Sequence, residues 1–270
     1  MKIALLCILF LQLSFTVGAL ESEIHLGKFS SGDMEGWKEQ TIGIFKPKTV
    51  YRLAKDNERS FLAAHSAKSA SGMLYKLKLD PKEYPLLKWS WKVDHTIAKG
   101  DERTKEGDDF SARIYVLFPR GIFSETRAIC YVWANKLTKG EHVASPFTKN
   151  IITVAVDSGD EAIGRWISHQ RNVYQDYRKF FGEEPPRIGA VALMTDTDNT
   201  GESTAGYYGD ISFLRPAKPD ETKNKESIPR EPQQKPVDPA EQRSRETKGH
   251  ATPFPSPAIP EGSVSPLSRP

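Results

Sequence analysis

The sequence predicts an all-β fold: an antiparallel, two-sheet β-sandwich with one short helix near residues 168–181. Short segments rich in Val, Ile, Tyr and Trp recur along the chain, and Gly, Pro, Asp or Asn bound them, as in strands joined by turns. The spacing of apolar residues becomes helical in one segment only. The part with this patterning, residues 20–215, has the length of one domain.

The first 19 residues have the pattern of a secretory signal peptide. Lys2 supplies a positive charge, residues 3–15 are almost wholly apolar, and Val17, Gly18 and Ala19 form a small-residue cleavage signature. We therefore expect cleavage near Ala19 and a periplasmic or secreted protein. An uncleaved membrane anchor is the alternative, although the apolar run is short for a bilayer span.

The composition changes at residue 216. Residues 216–270 are rich in Pro, Lys, Glu, Gln and Ser and carry little apolar periodicity, which is typical of a disordered tail. A net charge of +3, with no basic stripe interleaved with aromatic residues, argues against nucleic acid as a partner. After cleavage no further apolar stretch has membrane length, so we expect no membrane span. We also expect a monomer.

Nine strands are predicted between these two segments. They alternate in polarity or form short apolar runs, and turn residues separate them. In chain order they are Thr49–Leu53, Phe61–Ser66, Gly72–Leu79, Leu86–Val93, Phe110–Phe118, Arg127–Asn135, Ile151–Val156, Ile188–Met194 and Tyr207–Leu214.

The helix is predicted over Ser168–Phe181. Its aromatic residues recur at three- and four-residue intervals, and Gly182 is a typical C-cap before two prolines. We expect these aromatic residues to pack in the core. Cys130, in a strand-like segment, is likewise expected to be a buried apolar residue because no His is adjacent to it in sequence.

Two successive strands predict a ligand-binding sheet face. Alternation places Asp109, Arg113 and Tyr115 on one face of the first strand, and Tyr131, Trp133 and Asn135 on one face of the next. If these two sets share a face, a cation, an amide and aromatic rings converge there. Such a set suits a glycan, because rings stack on sugars and polar groups bind their hydroxyls. The alternative is an outer face with an Arg–Asp ion pair of little consequence.

Two further tryptophans allow two interpretations. Trp89 and Trp91 alternate on one strand and must share a face. They are either core residues or a stacking platform for sugar rings.

Asp196 and Asp198 form a candidate cation site. They follow an apolar strand and precede Asn199, Thr200 and Gly201, which resembles the opening of a calcium loop. The position expected for a bidentate Glu is Tyr207, so an EF-hand is excluded. A structural Ca²⁺, ligand hydroxyls, and a turn whose side chains bond their own backbone all remain open.

Catalytic signatures are sparse. The chain has no Gly-x-Ser-x-Gly elbow and no His-Glu-x-x-His helix. Acidic neighbours such as Asp108 and Asp109 do not establish carboxylates that face each other across a substrate. Arg113, Tyr131 and His169 are residue types that could carry out polysaccharide elimination. Nothing in the sequence requires these three to come together.

Several ordered motifs resemble one family. They are LKWSWKV (87–93), GDDFSARIYV (107–116), YVWAN (131–135), DYRKFFG (176–182) and MTDTDNT (194–200). The chain is similar over Phe29–Phe213 to the exported bacterial proteins catalogued as domain of unknown function 3047. This family has no established activity, so the resemblance implies an exported single domain and no catalytic residue.

The strand pattern is also similar to jelly-roll carbohydrate-binding modules. The shared features are a region like Phe29–Trp37 near the start and a final strand like Gly209–Phe213. The sequence therefore favours an exported, jelly-roll-like protein that binds a glycan or another polar cell-envelope ligand, without a required cofactor. A polysaccharide-active hydrolase or lyase, and a structural envelope protein without a ligand, are the alternatives.

Overall fold

A computed structural model describes residues 23–43, 45–57, 59–121 and 126–216. The predicted signal peptide and almost all of the predicted tail lie outside the described residues. In chain order the strands are β1 (Glu23–Gly27), β2 (Trp37–Thr41), β3 (Val50–Lys55), β4 (Ser60–Ala67), β5 (Ala70–Leu79), β6 (Leu86–Val93), β7 (Arg113–Phe118), β8 (Arg127–Ala134), β9 (His142–Ser145), β10 (Thr148–Ser158), β11 (Ile167–Asn172), β12 (Ile188–Asp196) and β13 (Ser203–Leu214). A 3-10 turn covers Phe29–Ser31, and helix α1 covers Val173–Phe181.

The strands form two sheets. One has six strands in the order β11-β6-β13-β4-β3, with β1 added alongside β13. The other has seven strands in the order β2-β5-β12-β7-β8-β10-β9. The predicted β-sandwich and all nine predicted strands are confirmed. The expectation of purely antiparallel pairing is wrong at one place, because β8 and β10 pair in parallel.

The aromatic core lies between the two sheets. Trp89 and Trp91 project from β6 toward Tyr131 and Trp133 of β8, and each of the four is at most 1% exposed. Trp89 stacks on Tyr131 with ring centroids 5.4 Å apart. Of the two interpretations of Trp89 and Trp91, the core one is therefore correct.

The predicted helix is shorter than expected at its start. Residues 167–172 form β11, which pairs with β6, and α1 begins only after Asn172. The Asn172 side chain accepts a hydrogen bond from the Gln175 amide and so caps the helix. Gly182 ends it with φ of 69°, as predicted from its position before the prolines.

No helix among the described residues is long and apolar enough to cross a membrane.

Candidate ligand-binding groove

A groove of about 500 Å³ lies on the outer face of the seven-stranded sheet. On β7, Ile114 and Val116 point into the core, so alternation turns Arg113, Tyr115 and Leu117 outward into the groove. Strands β5 and β12 contribute Gly72, Leu74, Ala192 and Met194, and further lining comes from Gln40, Ile42, Lys46, Asp108, Thr126, Ala128, Ser145, Phe147, Ile151, Asp196, Asp198 and Asn199.

The small side chain of Ala192 makes the centre of the groove deep. Ala192 pairs with Leu74 on one side and with Tyr115 on the other, so three strands present large, small and large side chains in one row. The neighbouring row has Gly72 beside Met194. The floor is therefore mostly aliphatic, with one tyrosine ring.

The two sides of the groove carry exposed apolar residues. Ile42, which follows β2, is 40% exposed, and Phe147, in the turn between β9 and β10, is 55% exposed. Both line the groove, although they come from opposite edges of the sheet. Exposed apolar side chains concentrated around a concavity are typical of a binding site.

One end of the groove is charged. Arg113 is paired with Asp196 through Nη2, and its Nη1 lies 3.5 Å from Asp108 Oδ2. Lys46 forms an ion pair with Asp198. The Arg113 and Asp196 side chains are 5% and 1% exposed, whereas Lys46 is 46% exposed. The buried pair forms the base of this end, and Lys46 forms most of its accessible surface, since the Asp198 side chain is only 8% exposed.

Burial controls the titration of this charged end. Burial raises the pKa of Asp196 well above its ordinary range, and Asp109, Asp108 and Asp198 raise it further against the opposing effect of Arg113. Burial also raises the pKa of Asp108. For Arg113, burial alone would lower the pKa, but Asp196 and its neighbours raise it, so the guanidinium stays charged. The end is thus a crowded set of carboxylates around a permanent cation.

Asp109 has an internal role beside the groove. It is fully buried and accepts hydrogen bonds from the amides of Thr200 at 2.6 Å and Asn199 at 3.3 Å. It therefore fixes the loop after β12 rather than lining the groove. Of the predicted ligand-binding residues, only Arg113 and Tyr115 line it.

The candidate cation site gains a third carboxylate. Oxygens of Asp109, Asp196 and Asp198 lie within 4.8 Å of one another. Each carboxylate already has an internal partner: the loop amides for Asp109, Arg113 for Asp196 and Lys46 for Asp198. A Ca²⁺ ion at this place would have to displace Lys46 and would lie close to Arg113, so the donor set fits a metal poorly.

The expectation that Tyr131 and Trp133 share a face with Arg113 is wrong. Arg113 pairs with Val132 and Tyr115 pairs with Cys130, so Tyr131 and Trp133 point to the opposite face. Both are fully buried in the core, where Tyr131 donates to Asp176 at 2.7 Å and Trp133 donates to the carbonyl of Gly159 at 2.9 Å. Neither presents a ring to a ligand.

Asn135 is also a structural residue rather than a ligand contact. Its Oδ1 accepts from the Ile97 amide and its Nδ2 donates to the Asp109 carbonyl, both at 2.8 Å. The charged loop at residues 100–109 has a related function. Glu102 is fully buried and accepts hydrogen bonds from the amides of residues 135–137. These contacts fix the chain where it leaves β8.

The three residues considered for polysaccharide elimination, Arg113, Tyr131 and His169, do not meet in the structure. His169 packs on Trp89 between the sheets, with ring centroids 5.2 Å apart, whereas Arg113 lies on the outer face of the other sheet. The carboxylates that line the groove, Asp108, Asp196 and Asp198, all lie at one end. Among the described residues, no lining carboxylate lies across the groove from them.

Cys130 is buried, as expected. Burial raises the pKa of its thiol to about 12, so it is not a nucleophile near neutral pH.

The groove residues that were not predicted include Gln40, Ile42, Lys46 and Phe147. They come from β2, from the segment after it and from the β9–β10 turn, which carry no motif in sequence. Only the pairing of β2 with β5 and of β9 with β10 brings them to the groove. The one signal in the sequence was the presence of two apolar residues, Ile42 and Phe147, beside predicted turns.

The class of protein defined by these observations is a two-sheet β-sandwich with a groove on one outer face. Residues 35–212 match the model of the family described as "Protein of unknown function (DUF3047)". The match covers more than half of the chain, so the protein belongs to this family. The resemblance found from the motifs is confirmed. No curated protein matches the sequence.

Several solved structures are similar to the chain at low TM-scores. CBM27-1 of Caldicellulosiruptor saccharolyticus, solved with mannohexaose, has a TM-score of 0.38 and 12% identity, over 73% of this chain and 98% of that one. The xylan-binding CBM22-1 domain of Paenibacillus barcinonensis Xyn10C has a TM-score of 0.36 and 12% identity, over 74% and 100%.

A glycoside hydrolase domain, Endo-D from Streptococcus pneumoniae R6, has a TM-score of 0.33 and 10% identity, over 67% of this chain. This chain spans only 22% of that enzyme's length. Likeness at these TM-scores and identities does not extend to a shared ligand or activity.

Proposed function

We propose that the protein is a ligand-binding module whose groove holds an amphiphilic molecule, one with an elongated apolar body and a head group that donates hydrogen bonds. The observation that carries this proposal is the groove itself, which joins an aliphatic floor to a carboxylate-rich end. Its volume of about 500 Å³ lies within the usual range for small-ligand sites.

The apolar body is supported by the floor and sides. Leu74, Leu117, Ala192 and Met194 cover the floor, and Ile42 and Phe147 leave apolar surface exposed at the sides. Removing apolar surface from water contributes about 25 cal/mol for each Å² buried. A ligand chain laid along this floor would bury its own surface together with these side chains.

The donor head group is supported by the charged end. Asp108 and Asp198 reach the groove with carboxylate oxygens, and Asn199 adds an amide. Four carboxylates in this region, including buried Asp109 and Asp196, face only two cations, Arg113 and Lys46. Carboxylates accept hydrogen bonds, so hydroxyl or ammonium groups fit this end and a further carboxylate does not.

A glycan is the second candidate ligand, and the rings of Tyr115 and Phe147 favour it. Both line the groove and present aromatic surface on which a sugar ring can pack. Export is part of the same proposal and is supported by the signal-peptide pattern of residues 1–19.

Calorimetric titration tests the proposal with single-chain amphiphiles below their micelle concentrations. We expect octyl glucoside and octylammonium to bind and octanoate to bind at least tenfold more weakly, because its carboxylate meets Asp108 and Asp198. Ala192→Leu fills the centre of the groove and should abolish binding. Ala67→Leu is the matched control, since Ala67 is exposed at the end of β4 in the other sheet.

The outcomes separate the two candidates. Binding of cellohexaose or mannohexaose, blocked by Ala192→Leu, without binding of octyl chains would replace the amphiphile with a glycan. No binding of any of these probes, or equal binding by the two variants, would contradict a ligand-binding groove.

A further inference from the structure

A second pocket, independent of the groove, lies on the outer face of the six-stranded sheet. Its volume is about 320 Å³, and five serines line it: Ser30, Ser60, Ser90, Ser168 and Ser212. We call it the serine pocket. Arg59 and Lys88 also line it, from the start of β4 and from β6. It is thus rich in hydroxyl groups and flanked by cations.

The two cations of the serine pocket have no acidic partner in the described part of the chain. Lys88 is exposed and forms no ion pair there, and the Arg59 side chain has the hydroxyl of Ser90 as its hydrogen-bond partner, with Nη1 3.5 Å from Oγ. The two acids of the pocket have other partners. Asp210 accepts from the amide and hydroxyl of Ser30, and Glu23 accepts from Ser212. Neither cation is therefore neutralised by an ion pair, and the two acids are held by hydroxyl and amide donors.

Gly209 leaves the pocket open beside these groups. A Cβ atom there would lie 2.1 Å from Ser90 Oγ and 3.6 Å from the Arg59 guanidinium. The strand is irregular at this point, where the β13–β6 register shifts between Tyr208 and Ile211. A residue without a side chain is what lets Ser90 and Arg59 approach the backbone of β13.

An aromatic cluster continues the basic surface from Arg59. The Arg59 guanidinium lies 3.8 Å from the centre of the Trp166 ring. Lys92 Nζ lies 4.7 Å from the ring of Tyr207, 5.4 Å from Trp166 and 5.5 Å from Phe61. Cation–π contacts of this kind hold the two cations in place. Lys88, Arg59 and Lys92 thereby form a row along β6.

We infer that the serine pocket and this row bind an acidic saccharide, a ring rich in hydroxyls that carries carboxylate or sulfate groups. Arg59 and Lys88 are complementary to the anionic groups, since guanidinium forms paired hydrogen bonds with such planar anions. The serines are complementary to the hydroxyls. Single-stranded nucleic acid fits less well, because base stacking needs free ring faces and Arg59 and Lys92 lie over those of Trp166 and Tyr207.

Affinity electrophoresis and titration of the full chain test this inference. The probes are polygalacturonate and dextran sulfate, with neutral dextran, inorganic phosphate and single-stranded DNA for comparison. We expect salt-dependent binding to the two acidic polysaccharides. The double variant Arg59→Gln, Lys88→Gln should bind them at least tenfold more weakly, because each cation loses a charge-assisted hydrogen bond.

The matched control is Lys76→Gln, Lys78→Gln, which removes two exposed cations from β5 of the other sheet. It should bind as the wild type does, and so should Ala192→Leu, which blocks only the groove. Equal losses in both double variants would show a general charge effect and overturn the inference. So would unchanged binding by the Arg59, Lys88 variant, a preference for DNA, saturation by phosphate alone, or no binding of either polysaccharide.

Discussion

At the scale of single residues, the buried Arg113–Asp196 pair organises the charged end of the groove. Asp196 ends β12 and Arg113 begins β7, and each side chain is at least 95% buried. A buried ion pair gives little net stability, but removing one partner leaves an uncompensated charge in a low-dielectric surrounding. Asp108, 3.5 Å from the Arg113 guanidinium, is the nearest replacement.

Asp196→Asn should therefore destabilise the fold by about 3 kcal/mol. The measurement is the free energy of unfolding in urea. Glu39→Gln is the control, because both side chains of its ion pair with Lys48 are exposed and such pairs contribute about 1 kcal/mol or less. Equal effects of the two substitutions would show that Arg113 does not depend on Asp196.

At the scale of elements, the passage from β11 to α1 shows how a local cap overrides helical spacing. The predicted helix begins at residue 168, yet residues 167–172 pair with β6 as an edge strand. Asn172 ends the strand in an extended conformation and its side chain accepts from the Gln175 amide. Backbone pairing with β6 satisfies the groups that a longer helix would have satisfied internally.

Asn172→Ala should lower the free energy of unfolding by about 1 kcal/mol, because the Gln175 amide loses its acceptor. Gln175→Ala keeps that amide and removes only an exposed side chain, so its effect should be close to zero. Chemical denaturation of both variants checks this. A loss in the Gln175 variant as large as that in the Asn172 variant would argue against the cap.

At the scale of the whole molecule, polar contacts between the sheets accompany the aromatic core. Asp157 of β10 accepts from Trp91 of β6 at 2.7 Å and from His169 of β11 at 2.6 Å. Lys139 Nζ lies 3.1 Å from its other oxygen. Burial would raise the pKa of Asp157, but the hydrogen bonds from His169 and Trp91, with Lys139, lower it below its ordinary value.

The sign of this shift fixes a pH dependence. A carboxyl whose pKa is lowered by folding stabilises the fold at pH values above its ordinary pKa, near 4, and loses this effect as the pH falls through the folded value. Asp157→Asn should cost about 1–3 kcal/mol between pH 5 and 8, and the difference from wild type should shrink below about pH 4. Urea unfolding across this range measures it.

Asp160→Asn is the control for this series, since Asp160 is exposed and bonds only Thr96. Its effect should be small and should not vary with pH in the same way. A constant difference between the wild type and the Asp157 variant down to pH 2 would contradict the assigned shift.

Most of the fold could be predicted because it depends on local patterns. Alternation and turn residues located nine strands, and the spacing before Gly182 located the helix. The strands without a clear pattern, β1, β2, β9 and β11, are short and partly exposed, so alternation was weak in them. Arg113 was predicted as a site residue because it is a cation within an apolar strand. Tyr115 was predicted with it because alternation places both on the same face of the strand.

The amino-acid sequence alone predicts the β-sandwich, the family and two of the residues that line the groove, Arg113 and Tyr115. Which strand faces meet depends on the pairing of the strands in three dimensions. Alternation divides each strand into two sets, but the register between β7 and β8 places Arg113 beside Val132 and sends Trp133 into the core. Both faces of β8 are buried, so its sequence carried no polarity to reveal this choice. The groove and the serine pocket exist for the same reason, because residues far apart in the chain meet only when the strands pair.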